Sequence, residues 1–273
     1  MTRVELHHGA ATDVGRVRTA NEDAHLAEPP VFVVADGMGG HDGGDVASAI
    51  VVEEFARLAG QSHDAHGGAT AIAATFRACQ QRIAAYGQEQ LRSGRPRWYA
   101  GTTAVVALLV EQDGAPQWLV ANLGDSRAYR VAEGRLHQVS HDHSVVQELV
   151  DSGKITEADA AVHPDRHVIT RALGGPGRVD ADFFLLPLAA TERLLLCSDG
   201  VNGMLDDAAI EAVLTGAEDP RDAAGQVVAA AVEAGGRDNA TAVVVDVVGW
   251  NAEDEYDAQR QRASLEEKLG ALP

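Results

Sequence analysis

Four aspartates stand at one end of an apolar run that could form a buried strand: Asp36, Asp125, Asp199 and Asp238. The clearest run is 31–35, which stops at Asp36 and a glycine loop, and packing a core does not require an acid there. An isolated carboxylate near a core is costly, and a metal ion commonly compensates it. The pattern predicts a sheet that brings carboxylates from distant parts of the chain together around a cation.

The overall charge points away from polyanionic partners. The chain has 41 acidic and 22 basic residues, for a formal net charge of −19. Proteins that bind nucleic acid or anionic membranes rely on Lys and Arg that face phosphates. We therefore expect neither nucleic acid nor a membrane as a partner.

The cysteines and the apolar stretches favour the cytoplasm. Cys79 and Cys197 lie far apart and form no C-x-x-C pair, so neither a disulfide framework nor a thiolate zinc site is implied. No apolar stretch approaches the ~18 residues that cross a bilayer, and the N-terminus lacks the apolar region of a signal peptide. We expect a cytoplasmic protein, with Cys79 in the core.

Hydrophobic periodicity divides the chain into groups of strands and groups of helices. Residues 4–14 predict an edge strand, and helical spacing follows at 46–58 and 72–83. The period changes to that of strands between 102 and 139, which predicts an antiparallel meander. Later elements are strands near 183–186, 194–197 and 241–248, with helices at 206–214 and 221–233. This grouping favours an α+β layered sandwich over a doubly wound sheet.

Two segments differ from the rest. Residues 140–177 are more polar, with two short helical patterns and a glycine-rich end, and predict an insertion that lies over the sheet as a flap. From Gly249 the composition turns acidic and polar, which predicts a tail, 249–273, that is helical or partly disordered. We therefore expect one domain, 1–248, followed by this tail.

Six short stretches match the motifs of one family, in that family's order. They are Arg18-Thr19-Ala20-Asn21-Glu22-Asp23, Ala35-Asp36-Gly37-Met38-Gly39-Gly40-His41, Gly101-Thr102-Thr103, Leu123-Gly124-Asp125-Ser126-Arg127, Cys197-Ser198-Asp199-Gly200 and Gly236-Arg237-Asp238-Asn239-Ala240-Thr241. The chain, roughly over 3–248, thus resembles the metal-dependent protein Ser/Thr phosphatases of the PP2C (PPM) type in their compact bacterial form. Any one stretch is weak evidence, since Asp-Gly is a common turn dipeptide, but six in order leave little room for chance.

The resemblance implies a fold and a metal centre. The fold is a four-layer α-β-β-α sandwich, in which paired helices flank two antiparallel sheets and two Mg²⁺ or Mn²⁺ ions bind at one end. Asp36 would bridge the two ions, and the carbonyl of Gly37 would hold one of them. Asp199 and Asp238 would bind the other ion.

The resemblance also assigns the surrounding residues. Glu22 and Asp23 would act through bound waters. Asp125, together with Asp199, would hold a third and weaker ion, and Arg18 would bind the substrate phosphate. The implied partners are phosphorylated proteins, including Ser/Thr kinases and their targets, and the implied state is a monomer.

The chemistry of these residue types agrees with the resemblance. Carboxylates are hard oxygen ligands, which suit Mg²⁺ or Mn²⁺ better than zinc. Two such ions about 3.5–4 Å apart lower the pKa of a bridging water and hold a phosphoryl group for in-line attack by hydroxide. An arginine fork such as that of Arg18 matches the phosphoryl oxygens. The expected activity is hydrolysis of phosphoserine and phosphothreonine; the alternative is a catalytically inactive member of the fold that regulates partners.

One position departs from the family pattern. Members often carry His directly after the Asp-Gly, as the acid that protonates the leaving alkoxide, but here that residue is Met38. His41 or a metal-bound water could supply the proton instead. Met38 could simply pack beneath the site.

Other interpretations of the same residues remain open at this point. Asp125 could form an ordinary hairpin bend, Arg18 a surface ion pair, and Glu22 and Asp23 a solvated edge. His141-Asp142-His143 has the residue types of a metal clip but is expected to be a loop.

Rival catalytic motifs fit less well. Gly124-Asp125-Ser126 resembles the box of GDSL-type esterases, with Ser126 as the nucleophile, although that box normally lies near the N-terminus. A cysteine phosphatase needs Cys-x₅-Arg, and the residue six positions after Cys197 is Gly203. The chain has no P-loop motif.

Overall fold

Two antiparallel sheets and their flanking helices make up the computed structural model, which describes residues 3–39, 43–94, 99–175 and 179–251. The strands are β1 Arg3–Asp13, β2 Asp23–Glu28, β3 Val31–Met38, β4 Gly101–Thr102, β5 Ala104–Gln112, β6 Ala115–Leu123, β7 Arg127–Ala132, β8 Arg135–Gln138, β9 Asp182–Pro187, β10 Arg193–Cys197 and β11 Ala240–Asn251. One sheet has the order β1-β11-β10-β7-β8, and the other β2-β3-β5-β6-β9, with β4 on β3.

The helices cover the outer face of each sheet or belong to the segment 140–177. They are α1 Gly44–Phe55, α2 Ala65–Arg92, α3 Val145–Asp151, α4 Glu157–Ala161, α5 Asp199–Asn202, α6 Asp207–Gly216 and α7 Pro220–Glu233, with short 3₁₀ turns at Ala56–Leu58 and Leu188–Ala190. Helices α1 and α2 pack on the second sheet, and α6 and α7 pack on the first. None of the helices in the described ranges combines the length and apolarity that a bilayer crossing requires.

Three layers of buried side chains explain the unbroken apolar runs. Along β3, Val31 and Val33 face α1 and α2, while Phe32 and Val34 face the opposite sheet. Because successive strand residues point to opposite faces, a strand covered on both faces is apolar at every position. Between the sheets, Phe32 meets Trp118 edge to face at 5.8 Å. The expected four-layer α-β-β-α sandwich is confirmed, and so is the core position of Cys79.

Three expectations about elements need correction. The strands between 102 and 139 are not one meander, because β5 and β6 pair in one sheet and β7 and β8 in the other; strand periodicity does not say which sheet a strand joins. Strand β2 was not expected, since only Leu26 within it is buried. Strand β11 continues to Asn251, past the predicted domain end at 248. The rest of the predicted tail and His41 lie outside the described residues.

Candidate metal centre

Strand β3 carries Asp36 to the end of the second sheet, where two threonines hold its backbone. The Asp36 N–H donates to Thr103 Oγ1 at 3.1 Å, and the Asp36 carbonyl accepts from Thr103 N at 2.9 Å and from Thr102 Oγ1 at 2.9 Å. The next residue is Gly37, where a side chain would overlap the carbonyl oxygens of Glu22 and Gly44. The main chain around Asp36 is therefore fixed by neighbours that leave its carboxyl group available.

Asp23 lies beside Asp36, since the two are register partners across β2 and β3. Ser198 Oγ donates to Asp23 Oδ2 at 2.7 Å and accepts from Thr241 N at 3.0 Å. The other carboxyl oxygen, Asp23 Oδ1, is buried and has no hydrogen-bond partner among the described residues. Burial raises the pKa of Asp23 to about 7, and the charges of Asp199 and Asp238 add to the rise. Within the described part of the chain, ionised Asp23 thus lacks a positive partner.

Asp199 meets Asp36 from the other sheet. It is the first residue of α5, two positions after the end of β10, rather than the end of a strand. The adjacent Gly200 permits close contact with the Asp238 loop, because a side chain there would overlap the carbonyl oxygen of Asn239. Burial and the charges of neighbouring carboxylates raise the pKa of Asp36 well above its usual value, and burial also raises the pKa of Asp199. The charge of Asp199 contributes to the raised pKa of Asp36, and both side chains line the same cleft.

Asp125 lies in the link between β6 and β7. His143 fixes this link through two hydrogen bonds with Gly124, from Gly124 N to Nδ1 at 3.1 Å and from His143 N to the Gly124 carbonyl at 2.9 Å. Burial raises the pKa of Asp125 to about 7, and the charge of Asp199 contributes next. Asp125 is therefore part of the same crowded group of acids, not an ordinary exposed hairpin bend.

Asp238 pairs with Arg18 at the edge of this group. Arg18 Nη2 donates to Asp238 Oδ2 at 2.6 Å, with side chains 51% and 35% exposed. Behind them, Asn239 accepts from Glu22 N at 2.9 Å and donates to the carbonyls of Val14 and Ala20. Burial raises the pKa of Glu22, with the charge of Asp45 as the next cause.

The predicted residues share one cleft of about 500 Å³. Its lining includes Arg18, Glu22, Asp36, Gly37, Asp125, Asp199 and Asp238, whereas Asp23 lies outside the lining. Met38 lines the cleft too, so it contacts the site instead of packing beneath it. Over the described ranges, no three His, Cys, Asp or Glu side chains converge tightly enough to cage an ion unaided.

The family model for protein phosphatase 2C matches residues 16–233. The chain belongs to this family. Among its relatives, the serine/threonine phosphatase stp of Listeria innocua is 34% identical over 254 residues, which are 88% of this chain and 96% of the relative. PstP of Mycobacterium tuberculosis is 37% identical over 257 residues, which are 92% of this chain and 47% of the relative. The solved catalytic domain of PstP in complex with two manganese ions superimposes with a TM-score of 0.75 at 33% identity, covering 91% of this chain and all of that one.

The arrangement found in this member of the family fits divalent cations. The donors are carboxylate and carbonyl oxygens, the ligands that Mg²⁺ and Mn²⁺ prefer. The unpartnered Oδ1 of Asp23 and the raised pKa values of Asp36 and Asp199 show negative charge that a cation would neutralise. Mg²⁺ usually keeps several waters and takes only one or two carboxylates from the protein. The cleft carboxylates are therefore suitable ligands for Mg²⁺, although they do not all converge on a single position.

Sequence analysis missed the residues that support this centre. Thr103, Ser198 and Asn239 are buried polar residues that hold Asp36, Asp23 and Glu22. All three lie inside the stretches that matched the family, next to or near an acid, which was the available signal. Arg237, which lies inside the last matched stretch, also lines the cleft. Arg166, His167 and Met204 line it as well, and no local pattern marks these three.

The rival motifs do not form sites. Ser126 is buried and hydrogen-bonds to Thr103 Oγ1 at 2.7 Å, with no histidine among its hydrogen-bond partners in the described residues. The members of the 141–143 triplet have separate partners: His141 pairs with Asp151, Asp142 with Arg127, and His143 with Asp182. The triplet is thus no metal clip.

Proposed function

We propose that this protein is a Mg²⁺- or Mn²⁺-dependent protein phosphatase that hydrolyses phosphoserine and phosphothreonine on proteins. The observation that carries the proposal is that Asp36 and Asp199, from opposite sheets, line one cleft beside the Asp23 oxygen that has no hydrogen-bond partner among the described residues. The two manganese ions of the PstP catalytic domain and the serine/threonine phosphatase names of the relatives support it.

Each predicted residue then has a role. Asp36 and the Gly37 carbonyl, with Asp199 and Asp238, hold the two ions. When bound, the ions activate water and neutralise charge on the phosphoryl group. Arg18 is half exposed at the cleft and donates through Nη2 alone to a described residue, Asp238. Its other N–H groups are positioned to bind phosphoryl oxygens.

The remaining acids act around this pair. Glu22 and Asp23 orient bound waters, and Asp125 with Asp199 provides a third, weaker ion site. Segment 140–177 acts as a flap, which is supported by its contribution of Arg166, His167 and Ile169 to the cleft lining. The domain extends from residue 1 to the end of β11 at Asn251, and the rest of 249–273 is a separate tail. We place the protein in the cytoplasm as a monomer that acts on Ser/Thr kinases and their targets, and the buried, unpaired Cys79 and Cys197 support a reducing compartment.

The test is hydrolysis of a phosphothreonine peptide with Mn²⁺ and with a chelator. We expect turnover only with the metal, and loss of turnover in Asp36→Asn with an unchanged circular dichroism spectrum. The control variant is Asp222→Asn, an exposed aspartate in the first turn of α7, which should keep full activity. Absence of turnover by the wild-type protein at every metal concentration would favour the inactive regulator, and an active Asp36→Asn protein would show that the centre is misplaced.

A further inference from the structure

Two arginines that line the acidic cleft have no carboxylate partner within the described ranges. Arg166 belongs to segment 140–177, and Arg237 to the turn between α7 and β11. Both are exposed. Arg166 Nη1 donates only to the carbonyl of its neighbour His163, at 3.2 Å, and Arg237 makes no ion pair with the described residues. Two segments far apart in the chain thus each bring an unpaired cation to one cleft.

Unpaired arginines are notable in a chain with 41 acidic and 22 basic residues. Among the described residues, the arginines that form ion pairs are Arg18, Arg57, Arg82, Arg92, Arg127, Arg135, Arg171, Arg193 and Arg221. Arg16, Arg77 and Arg130 also form no ion pair with the described residues, but they lie outside the cleft lining. Arg166 and Arg237 are the cleft arginines that remain available to an anionic group of the substrate.

The phosphoryl group itself does not account for both cations. Under the proposed function, the phosphoryl group, which carries at most two negative charges, is bound by Arg18 and the two divalent ions. Arg166 and Arg237 are additional, so they fit negative charge elsewhere on the same substrate. Guanidinium groups bind carboxylates in a bidentate manner.

We propose that Arg166 and Arg237 form a subsite for acidic side chains flanking the phosphorylated residue, so that acidic phosphopeptide segments are the preferred substrates. The proposal rests on the proposed function and adds a substrate class to it. The rest of the molecule carries a large negative charge and repels such peptides at long range. A preference for acidic peptides therefore requires local cations and should depend on these two.

The expected size of the preference for acidic peptides follows from the free energy of exposed ion pairs. Each contact between arginine and carboxylate should raise kcat/KM by about 1.5- to 5-fold. Salt should weaken the preference, because the screening length is about 8–10 Å near physiological ionic strength.

The experiment compares two phosphothreonine peptides of equal length, one with Glu and one with Gln at the flanking positions. The measured quantity is the ratio of their kcat/KM values with Mn²⁺, for the wild-type protein, Arg166→Gln, Arg237→Gln and Arg77→Gln. Arg77 is an exposed arginine of α2 outside the cleft, so its variant is the matched control. We expect the wild type and Arg77→Gln to favour the Glu peptide, and each cleft variant to lose the factor of about 1.5–5 that its own arginine contributes.

A binding measurement separates this proposal from the proposed function. Fluorescence anisotropy with the same peptides on Asp36→Asn protein, with and without Arg237→Gln, reports the preference without turnover. No hydrolysis of either peptide would contradict the phosphatase function, while a preference in binding would still support the acidic subsite. Equal use and equal binding of both peptides by the wild type, or a preference that survives both cleft substitutions, would overturn the subsite.

Discussion

Asp23→Asn should stabilise the metal-free protein at alkaline pH and have a smaller effect at acidic pH. The pKa of Asp23 rises from 3.8 to about 7 on folding because the carboxyl group is buried among other acids. The folded state therefore holds this proton more tightly, and the stability that the proton provides is present below pH 3.8 and lost as the pH rises to about 7. Asparagine carries no charge and avoids that loss.

The magnitude follows from the same pKa difference. One pKa unit corresponds to about 1.4 kcal/mol, so ionised Asp23 costs about 4 kcal/mol at pH 8 and about 2 kcal/mol at pH 5. The asparagine N–H₂ group next to Ser198 would lack an acceptor, at a cost of about 1–3 kcal/mol that does not depend on pH. The variant's stability relative to wild type should thus rise by about 2–3 kcal/mol between pH 5 and pH 8.

Urea unfolding with a chelator at both pH values measures this change. Asp222→Asn controls for the loss of a negative charge at an exposed position of α7. A relative stability that is the same at pH 5 and pH 8 would refute the reasoning. Saturation with Mn²⁺ should make the wild type more stable than Asp23→Asn. An ion at 100 times its Kd stabilises the wild type by about 2.7 kcal/mol, and Asp23→Asn weakens that binding.

Three further predictions concern Arg18, Ser198 and Arg193. Arg18→Ala should raise KM far more than it lowers kcat, and an unchanged KM in steady-state kinetics would remove Arg18 from the site. Ser198→Ala removes the donor to Asp23 and should weaken Mn²⁺ binding about 10–100-fold by calorimetry; unaltered affinity would contradict its supporting role. Arg193→Ala leaves Asp246 unpaired at a partly buried position and should lower the free energy of unfolding in urea by about 3–5 kcal/mol. A decrease of less than about 1 kcal/mol would contradict this prediction.

The sequence identified the acids because each interrupts a local pattern. An apolar run such as 31–35 that ends at Asp36 is visible without any tertiary information, and the neighbouring motifs supply the order of the family. Burial on both faces then follows from the same run. The sequence alone could therefore predict two features: the residue types that line the cleft and the layered fold.

Features that depend on distant segments could not be predicted in this way. The pairing of Arg18 with Asp238 joins residues from opposite ends of the domain, and nothing local marks Arg166 as a cleft residue. The assignment of β5–β6 and β7–β8 to different sheets depends on packing of their buried faces. Strand β2 pairs with β3 at one edge of its sheet and buries little, so its sequence lacks the apolar alternation of a strand.

The position of β11 between β1 and β10 sets when a newly made chain can become active. Asp36 leaves the ribosome long before Asp238, and the intervening 201 residues take about 10–40 s to synthesise. Until β11 joins its neighbours, the first sheet has a gap in its middle and Asp238 has no fixed place. Nascent chains thus carry Asp36 for many seconds before Asp238 can join it at the cleft.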